Sequence, residues 1–224
     1  MRALQERLGY AFQNPALLEN ALTHSSYANE RRGSQSSNER LEFLGDSILG
    51  MVTAEKLYHT FPHLPEGRLS RLRAELVCEQ SLHAVALDLG LGQHLRLGKG
   101  EEHSGGRERP SILADAVEAV IAAMYLDGGI VPARAFILEH VLAGVEEGQI
   151  HHVMDYKTEL QERIQRKADQ HLRYELVDTT GPDHNKHFIM AVFLNDAEIG
   201  RGQGRSKKEA EQAAAKAALN GLEK

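Results

Sequence analysis

The chain has 224 residues, 42% of them apolar and 26% charged, with 32 acidic against 26 basic side chains and a formal net charge of −6. That length buries a core without covalent staples, and a single cysteine, Cys78, excludes an intrachain disulfide framework. Neither a signal-peptide core nor the ~20 apolar residues of a membrane span is found, so no membrane partner and a reducing, cytoplasmic setting are expected. On its face, the acidic total also argues against nucleic acid as partner.

Apolar residues recur at spacings of three and four in 38–60, 68–90 and 111–126, which predicts helices. Pro62, Pro65 and Gly67 interrupt the pattern, and 98–110 (GKGEEHSGGRERP) reads as a charged surface loop. The LDGG at 126–129 ends one helix, and Pro132 sits near the start of the next. After Gly148 the pattern changes. An amphipathic helix over 155–167 precedes strand-like runs at 174–177, 188–194 and 197–202. Ser206 is a plausible N-cap for a last helix over 206–222, whose alanine-rich face comprises Ala210, Ala213, Ala214 and Ala217. The expectation is a multidomain chain: an all-α domain over 1–147, a linker over 148–154, and a small α+β domain of order α-β-β-β-α over 155–224. The charge divides unevenly. Residues 155–224 hold 12 basic and 12 acidic side chains, and residues 1–154 hold 14 and 20.

The acidic excess is patterned. On a helix, Glu39, Glu42 and Asp46 of NERLEFLGDS (38–47) share an arc of roughly 60°, opposite Leu41, Leu44, Ile48, Met51 and Val52. Asp115 and Glu118 form an i, i+3 pair on a second helix with apolar surroundings. Carboxylates clustered on one face repel each other unless a cation compensates, and Mg²⁺ is a hard ion that takes oxygen ligands. Two facing helices offering Glu42, Asp46, Asp115 and Glu118 suit one or two such ions and in-line displacement at a phosphodiester. A solvated acidic face, or a buried ion pair, fits the same spacing. Phe43 lies beside the carboxylates, off the apolar stripe, where an aromatic reads as peripheral core or as an interface anchor.

In the second domain, 199–208 (IGRGQGRSKK) contains Arg201, Arg205, Lys207 and Lys208 and no acid. Cations in a first helical turn oppose the macrodipole, so Lys207 and Lys208 suit a docked anion such as phosphate; an ordinary charged helix start is the alternative. Thr158, Gln161, Glu162 and Gln165 form a polar stripe able to reach 2′-hydroxyls in the shallow RNA minor groove, and His184 lies in the loop between the first two strands. Arg107 and Arg109, in the loop before Asp115, are weaker phosphate candidates. His24 and Cys78 read as a structural histidine and a core thiol, and none of the 12 histidines shows zinc-ligand spacing.

NERLEFLGDS resembles the signature of the ribonuclease III family of double-stranded-RNA endonucleases. ALTHSSYANE (21–30), EGRLSRLRAELV (66–77) and SILADAVEAVIAAMYLDGG (111–129) are similar to further family blocks in the same order. GPDHNKHF and GRSKKEAEQAAAKAAL resemble its double-stranded-RNA-binding domain.

The resemblance implies a homodimer that cuts both strands, leaving 5′-phosphates and short 3′ overhangs. It implies processing of ribosomal and messenger RNA precursors, with Mg²⁺ (or Mn²⁺ as substitute) and no organic cofactor. Glu42, Asp46, Asp115 and Glu118 match the family's metal ligands, Asp46 and Glu118 among its catalytic residues. Glu39 and Glu66 match flanking acidic positions, and Phe43 matches an aromatic knob at the dimer interface. Thr158, Gln161, Glu162, Gln165, His184, Lys207 and Lys208 match RNA-contacting positions. Two rivals stand beside it: a non-catalytic double-stranded-RNA-binding protein whose nuclease-like half serves only as a dimerisation scaffold, and a metal phosphohydrolase acting on small molecules, which leaves the RNA-binding domain unexplained.

Overall fold

The computed structural model describes residues 1–31, 36–145, 156–165, 170–180 and 186–222, without the side chains of Thr158, Glu162 and Gln165. The expected linker over 148–154 and His184 lie outside the described residues. The chain forms two compact units, Met1–Ile150 and His151–Lys224.

The first unit is helical: α1 (Arg2–Arg7), α2 (Pro15–Ala21), α3 (Ser25–Glu30), α4 (Glu39–Thr60), α5 (Glu66–Leu76), α6 (Glu79–Asp88), α7 (Lys99–His103), α8 (Pro110–Gly128) and α9 (Ile130–Phe136). Helix α8 is the core. Ile112, Leu113, Val117, Val120, Ile121 and Met124 are buried, and the alanines between them allow α2, α4 and α6 to pack closely around it. At its C-terminal end Asp127 accepts from the Tyr10 hydroxyl and from the Gln13 and Asn14 N–H groups, each at 2.8 Å, which ties the N-terminal segment to α8.

Four expectations for this unit need correction. The periodic run 68–90 is two helices, because Cys78 leaves helical geometry (φ −72, ψ 160) and becomes the N-cap of α6. Cys78 is therefore a half-buried cap residue whose Sγ lies 3.4 Å from the Ser81 hydroxyl, and not a core thiol. The segment 98–110 is not a plain loop. Glu101 and Glu102 in the first turn favour the short helix α7, which Gly105 at φ 79 helps to end. Met51, expected in the core, is 52% exposed.

The second unit places α10 (Tyr156–Gln165) and α11 (Lys207–Leu222) on a three-stranded antiparallel sheet in the order β1 (Leu172–Thr180), β2 (His187–Leu194), β3 (Ala197–Gly204). Leu160, Ile164, Met190, Val192, Ala214 and Leu219 form its core. Strand β3 presents Gly200, Gly202 and Gly204 to α11. A Cβ at Gly202 would lie 2.1 Å from the Ala214 nitrogen, and one at Gly200 would lie 2.5 Å from the Ala214 carbonyl oxygen. This glycine row decides which alanines face inward: Ala210, Ala214, Ala215 and Ala218 are buried, whereas Ala217, expected in that face, is exposed.

Because backbone, and not a flexible side chain, occupies the space, Gly202→Ala is expected to destabilise this unit by about 3 kcal/mol or more. Thermal unfolding with a probe in the second unit checks this; an unshifted transition contradicts the packing described.

Candidate active site

Helices α4 and α8 cross at a single glycine. A Cβ at Gly45 would sit 1.9 Å from the Glu118 carbonyl oxygen and 3.0 Å from its Cα, so only glycine permits this approach. Glu42, one turn before Gly45, thereby meets Asp115 and Glu118. Carboxylate oxygens of the three residues lie within 4.8 Å of one another, each residue half-buried. Asp46 stands at the exposed edge. It does not belong to the 4.8 Å group, but its charge acts on both Glu42 and Glu118.

The electrostatics follow from this convergence. Glu118 is pushed up to about 7, first by burial and then by the charges of Asp46, Glu42 and Asp115. Glu42 is raised by burial, then by Asp115, Glu39 and Asp46. Asp115 is raised by burial and by Glu79, against the pull of His24. Three half-buried oxygen donors, of which Glu42 and Glu118 are raised in part by neighbouring carboxylates of the group, form a donor set suited to a divalent cation.

The remaining expected residues divide. Glu39 is exposed, accepts from the Ser37 hydroxyl at 2.9 Å, and acts on Glu42 through its charge. Glu66 opens α5 and accepts from the Ser70 hydroxyl at 2.7 Å; it is not brought into the cluster. Arg107 does not await phosphate. It bonds both oxygens of Glu102 and donates to the Gly92 and Leu95 carbonyls at 2.9 and 2.8 Å. Arg109 pairs with Glu101 at 2.6 Å. His24 is structural in that its Nδ1 accepts from the Ser26 N–H at the start of α3.

Sequence reasoning missed Gly45 and Glu79. A glycine inside a helix costs roughly 1 kcal/mol relative to alanine, but the signal does not single out Gly45, since Gly50 in the same helix has open space where a Cβ would stand. Glu79 gave no such signal, because its proximity to Asp115 depends on how α6 packs on α8.

On the second unit, Gln161, Lys207 and Lys208 are exposed. Ser206 accepts from the Glu209 N–H at 3.2 Å while the Glu209 carboxylate accepts from the Arg205 N–H at 2.8 Å, a reciprocal cap that fixes the first turn of α11. Arg201 is paired with Glu198 at 2.8 Å, so the 199–208 edge is less free than its composition suggests. Thr158, Glu162, Gln165 and His184 cannot be placed, their side chains being outside those described.

Residues 14–145 match the family model described as ribonuclease-III-like, and residues 156–222 match the double-stranded RNA binding motif. The chain belongs to the ribonuclease III family. It is 49% identical to Ribonuclease 3 of Oceanobacillus iheyensis, over 99% of this chain and 98% of that one. It is 52% identical to Ribonuclease 3 of Caldanaerobacter subterraneus subsp. tengcongensis, over 98% and 96%. Among solved structures, the nuclease domain of ribonuclease III from Campylobacter jejuni superposes with a TM-score of 0.60 at 42% identity, covering 64% of this chain and 96% of that domain. The protein is thus an endoribonuclease of this family that carries both a nuclease and a double-stranded-RNA-binding domain.

A carboxyl whose folded pKa lies above its unfolded value of about 4.5 favours folding while protonated, and that contribution is lost as pH rises from about 4.5 through about 7. Metal-free Glu118→Gln is therefore expected to be more stable than wild type at pH 8, by about 1–2 kcal/mol after discounting for the solvent that reaches a half-buried group. The difference should vanish near pH 4.5. Thermal unfolding in EDTA at both pH values checks this, and a less stable variant at pH 8 contradicts it.

Proposed function

We propose that this protein is a homodimeric, metal-dependent endoribonuclease that cuts both strands of double-stranded RNA and leaves 5′-phosphates and short 3′ overhangs. The observation that carries this reading is the convergence of Glu42, Asp115 and Glu118 oxygens within 4.8 Å in a chain of this family. The nuclease domain is assigned to 1–147, the linker to 148–154 and the binding domain to 155–224. Ribosomal and other RNA precursors in the cytoplasm are the proposed substrates.

Glu42, Asp115 and Glu118, with Asp46 at the open edge, would hold Mg²⁺, or Mn²⁺ in its place. When bound, the ion supplies Lewis-acid activation of water and charge neutralisation at the departing oxygen. The chain's own part is to orient. Burial raises Glu42, Asp115 and Glu118, and a bound cation would offset the cost of their charge, while Glu39 stands at the exposed rim. In the hydrolysis a water oxygen bonds to phosphorus and the P–O3′ bond breaks; the 3′ oxygen takes up a proton and the phosphate remains on the 5′ end. In the second domain, Lys207 and Lys208 at the α11 start are proposed to grip phosphates, while Thr158, Gln161, Glu162, Gln165 and His184 face the minor grooves. A-form RNA exposes shape and 2′-hydroxyls there and hides its major-groove edges, so selection rests on helical form.

Dimerisation is supported by an exposed apolar stripe. Phe43 (78% exposed), Met51 and Tyr58 (67%) lie at spacings of eight and seven along α4 and share one side of it. In the C. jejuni relative a region of the nuclease domain is involved in dimer formation.

A generic RNA duplex incubated with and without Mg²⁺, with both product ends mapped, tests the reading. Staggered cuts with 5′-phosphates are expected only with the metal; blunt, unpaired or metal-independent cuts overturn it. Since partners outside the ligand set already cost about 10–100-fold, Glu118→Gln should reduce cleavage at least ~100-fold while retaining duplex binding in Ca²⁺. Phe43→Ala should weaken the dimer by about 30-fold, a loss of about 2 kcal/mol, in sedimentation equilibrium. An equally tight dimer removes Phe43 from the interface.

A further inference from the structure

Asparagine is among the best N-cap residues because its side-chain oxygen accepts from the first helical N–H groups. Asn38 stands at the N-cap of α4, yet its side chain caps nothing. It is only 3% exposed and turns inward, where Nδ2 donates to the Ala21 carbonyl at 3.2 Å. Its N–H donates to the Thr23 carbonyl at 2.8 Å, and its own carbonyl accepts from the Glu42 N–H at 2.9 Å. Just upstream, Asn20 Nδ2 donates to the Ser36 and Ser37 carbonyls at 2.6 and 3.1 Å.

The segment that receives Asn38 is pinned from its other side. Thr23 is fully buried, the Arg96 N–H donates to the Leu22 carbonyl at 2.8 Å, and the His24 N–H donates to the Arg96 carbonyl at 3.1 Å. His24, next in the chain, is near enough to Asp115 for its charge to act there. A cap bonded only to its own helix stabilises that helix end and leaves the helix free to roll. A buried donor bonded to a second segment fixes both rotation and translation. Ligand carboxylates need placement within about 0.5 Å, which a small roll of α4 would exceed.

We propose that Asn38 is a positioning residue that sets the azimuth of Glu42 against Asp115 and Glu118, acting through its clamp on the 21–23 segment. This rests on the reading of the three carboxylates as a divalent-cation site. The Glu42 ligand is thus aimed from the helix start, four residues away, and Asn38 touches neither metal nor RNA.

The test is a titration of the metal-free full chain with Mn²⁺, without RNA, followed by electron paramagnetic resonance, alongside thermal unfolding in EDTA. Asn38→Ala is expected to weaken Mn²⁺ binding by about 10-fold or more, as loss of an outer partner of a metal ligand does. At limiting Mn²⁺, kcat should fall by a similar factor with KM for duplex unchanged, and saturating Mn²⁺ should recover most of it. Ile137→Val, a mild truncation of a fully buried residue outside α4, α8 and the 21–23 segment, should lower stability and leave Mn²⁺ affinity alone.

Mn²⁺ affinity of Asn38→Ala within twofold of wild type overturns the proposal, as does an equal loss in Ile137→Val. If Asn38→Ala does not fold cooperatively, Asn38→Leu carries the same test, because it keeps the volume, adds no charge and cannot donate to the Ala21 carbonyl. Equal Mn²⁺ binding by wild type and Glu118→Gln would defeat the cation site itself. Binding lost in Glu118→Gln but kept in both Asn38 variants defeats only the clamp.

Discussion

The contact between Gly45 and the backbone of Glu118 is the constraint on which the nuclease unit turns. With no Cβ at position 45, α4 comes against α8 so closely that a methyl group would overlap the Glu118 carbonyl. Everything chemical follows from that distance. Asp115 and Glu118 are half-buried in the stretch of α8 where the other residues from Ile112 to Met124 are core, and Glu42 comes to them from the facing helix. Were the helices held apart by one methyl group, interior packing density would be lost along the crossing, and the carboxylates would no longer share one ion-sized space.

The approach is electrostatically unfavourable by itself. It places three half-buried carboxylates together, with Asp46 and Glu39 adding charge from the rim, and Glu118 accordingly holds its proton to about pH 7. The fold tolerates this because the rest of the crossing is apolar and well packed, and because α8 is anchored at both ends. Asp127 fastens its C-terminal end to the N-terminal segment, and the Arg107 network with Glu102, Gly92 and Leu95 fixes the turn that leads into its start. The geometry of the carboxylate group is thus maintained against local repulsion by bonds made elsewhere. The inward turn of Asn38 belongs to the same set of restraints, applied to α4.

Much of this is legible in the amino-acid sequence, for identifiable reasons. The α4 and α8 helices announce themselves by period, and the carboxylate faces follow from the same period. The order of helix and three strands in the second unit follows from β-branched runs separated by turn residues. What period cannot tell is which faces meet. Met51 sits at a core-like spacing yet is exposed, because it lies toward the Phe43–Tyr58 stripe. Asp46 shares an arc with Glu42 yet stays outside the tight group, because Gly45 places the crossing on the Glu42 side. Ala217 was expected inside and faces out, because the glycine row of β3 selects the alanines that fit over it. Cys78 and Asn38 are residues whose roles depend on a turn or a distant carbonyl, and composition carries no trace of either.

The same logic resolves the net charge of −6. A summed charge describes a field at a distance, and recognition here depends on charges at contact. In the nuclease unit the excess acid is partly the convergent group, whose charge a bound cation would cancel. In the second unit the balance is zero, and its ion pairs decide what is available. Arg201 is taken by Glu198 and Lys157 by Glu211, while Lys207 and Lys208 project from a helix start whose geometry Ser206 and Glu209 hold. The cap orders the backbone from which the two lysines project, so their position, though not the conformation of their exposed side chains, is settled in folding. The glycine row that brings α11 onto β3 is therefore to the basic residues what Gly45 is to the acidic ones: a missing side chain in the core that determines where charge stands on the surface.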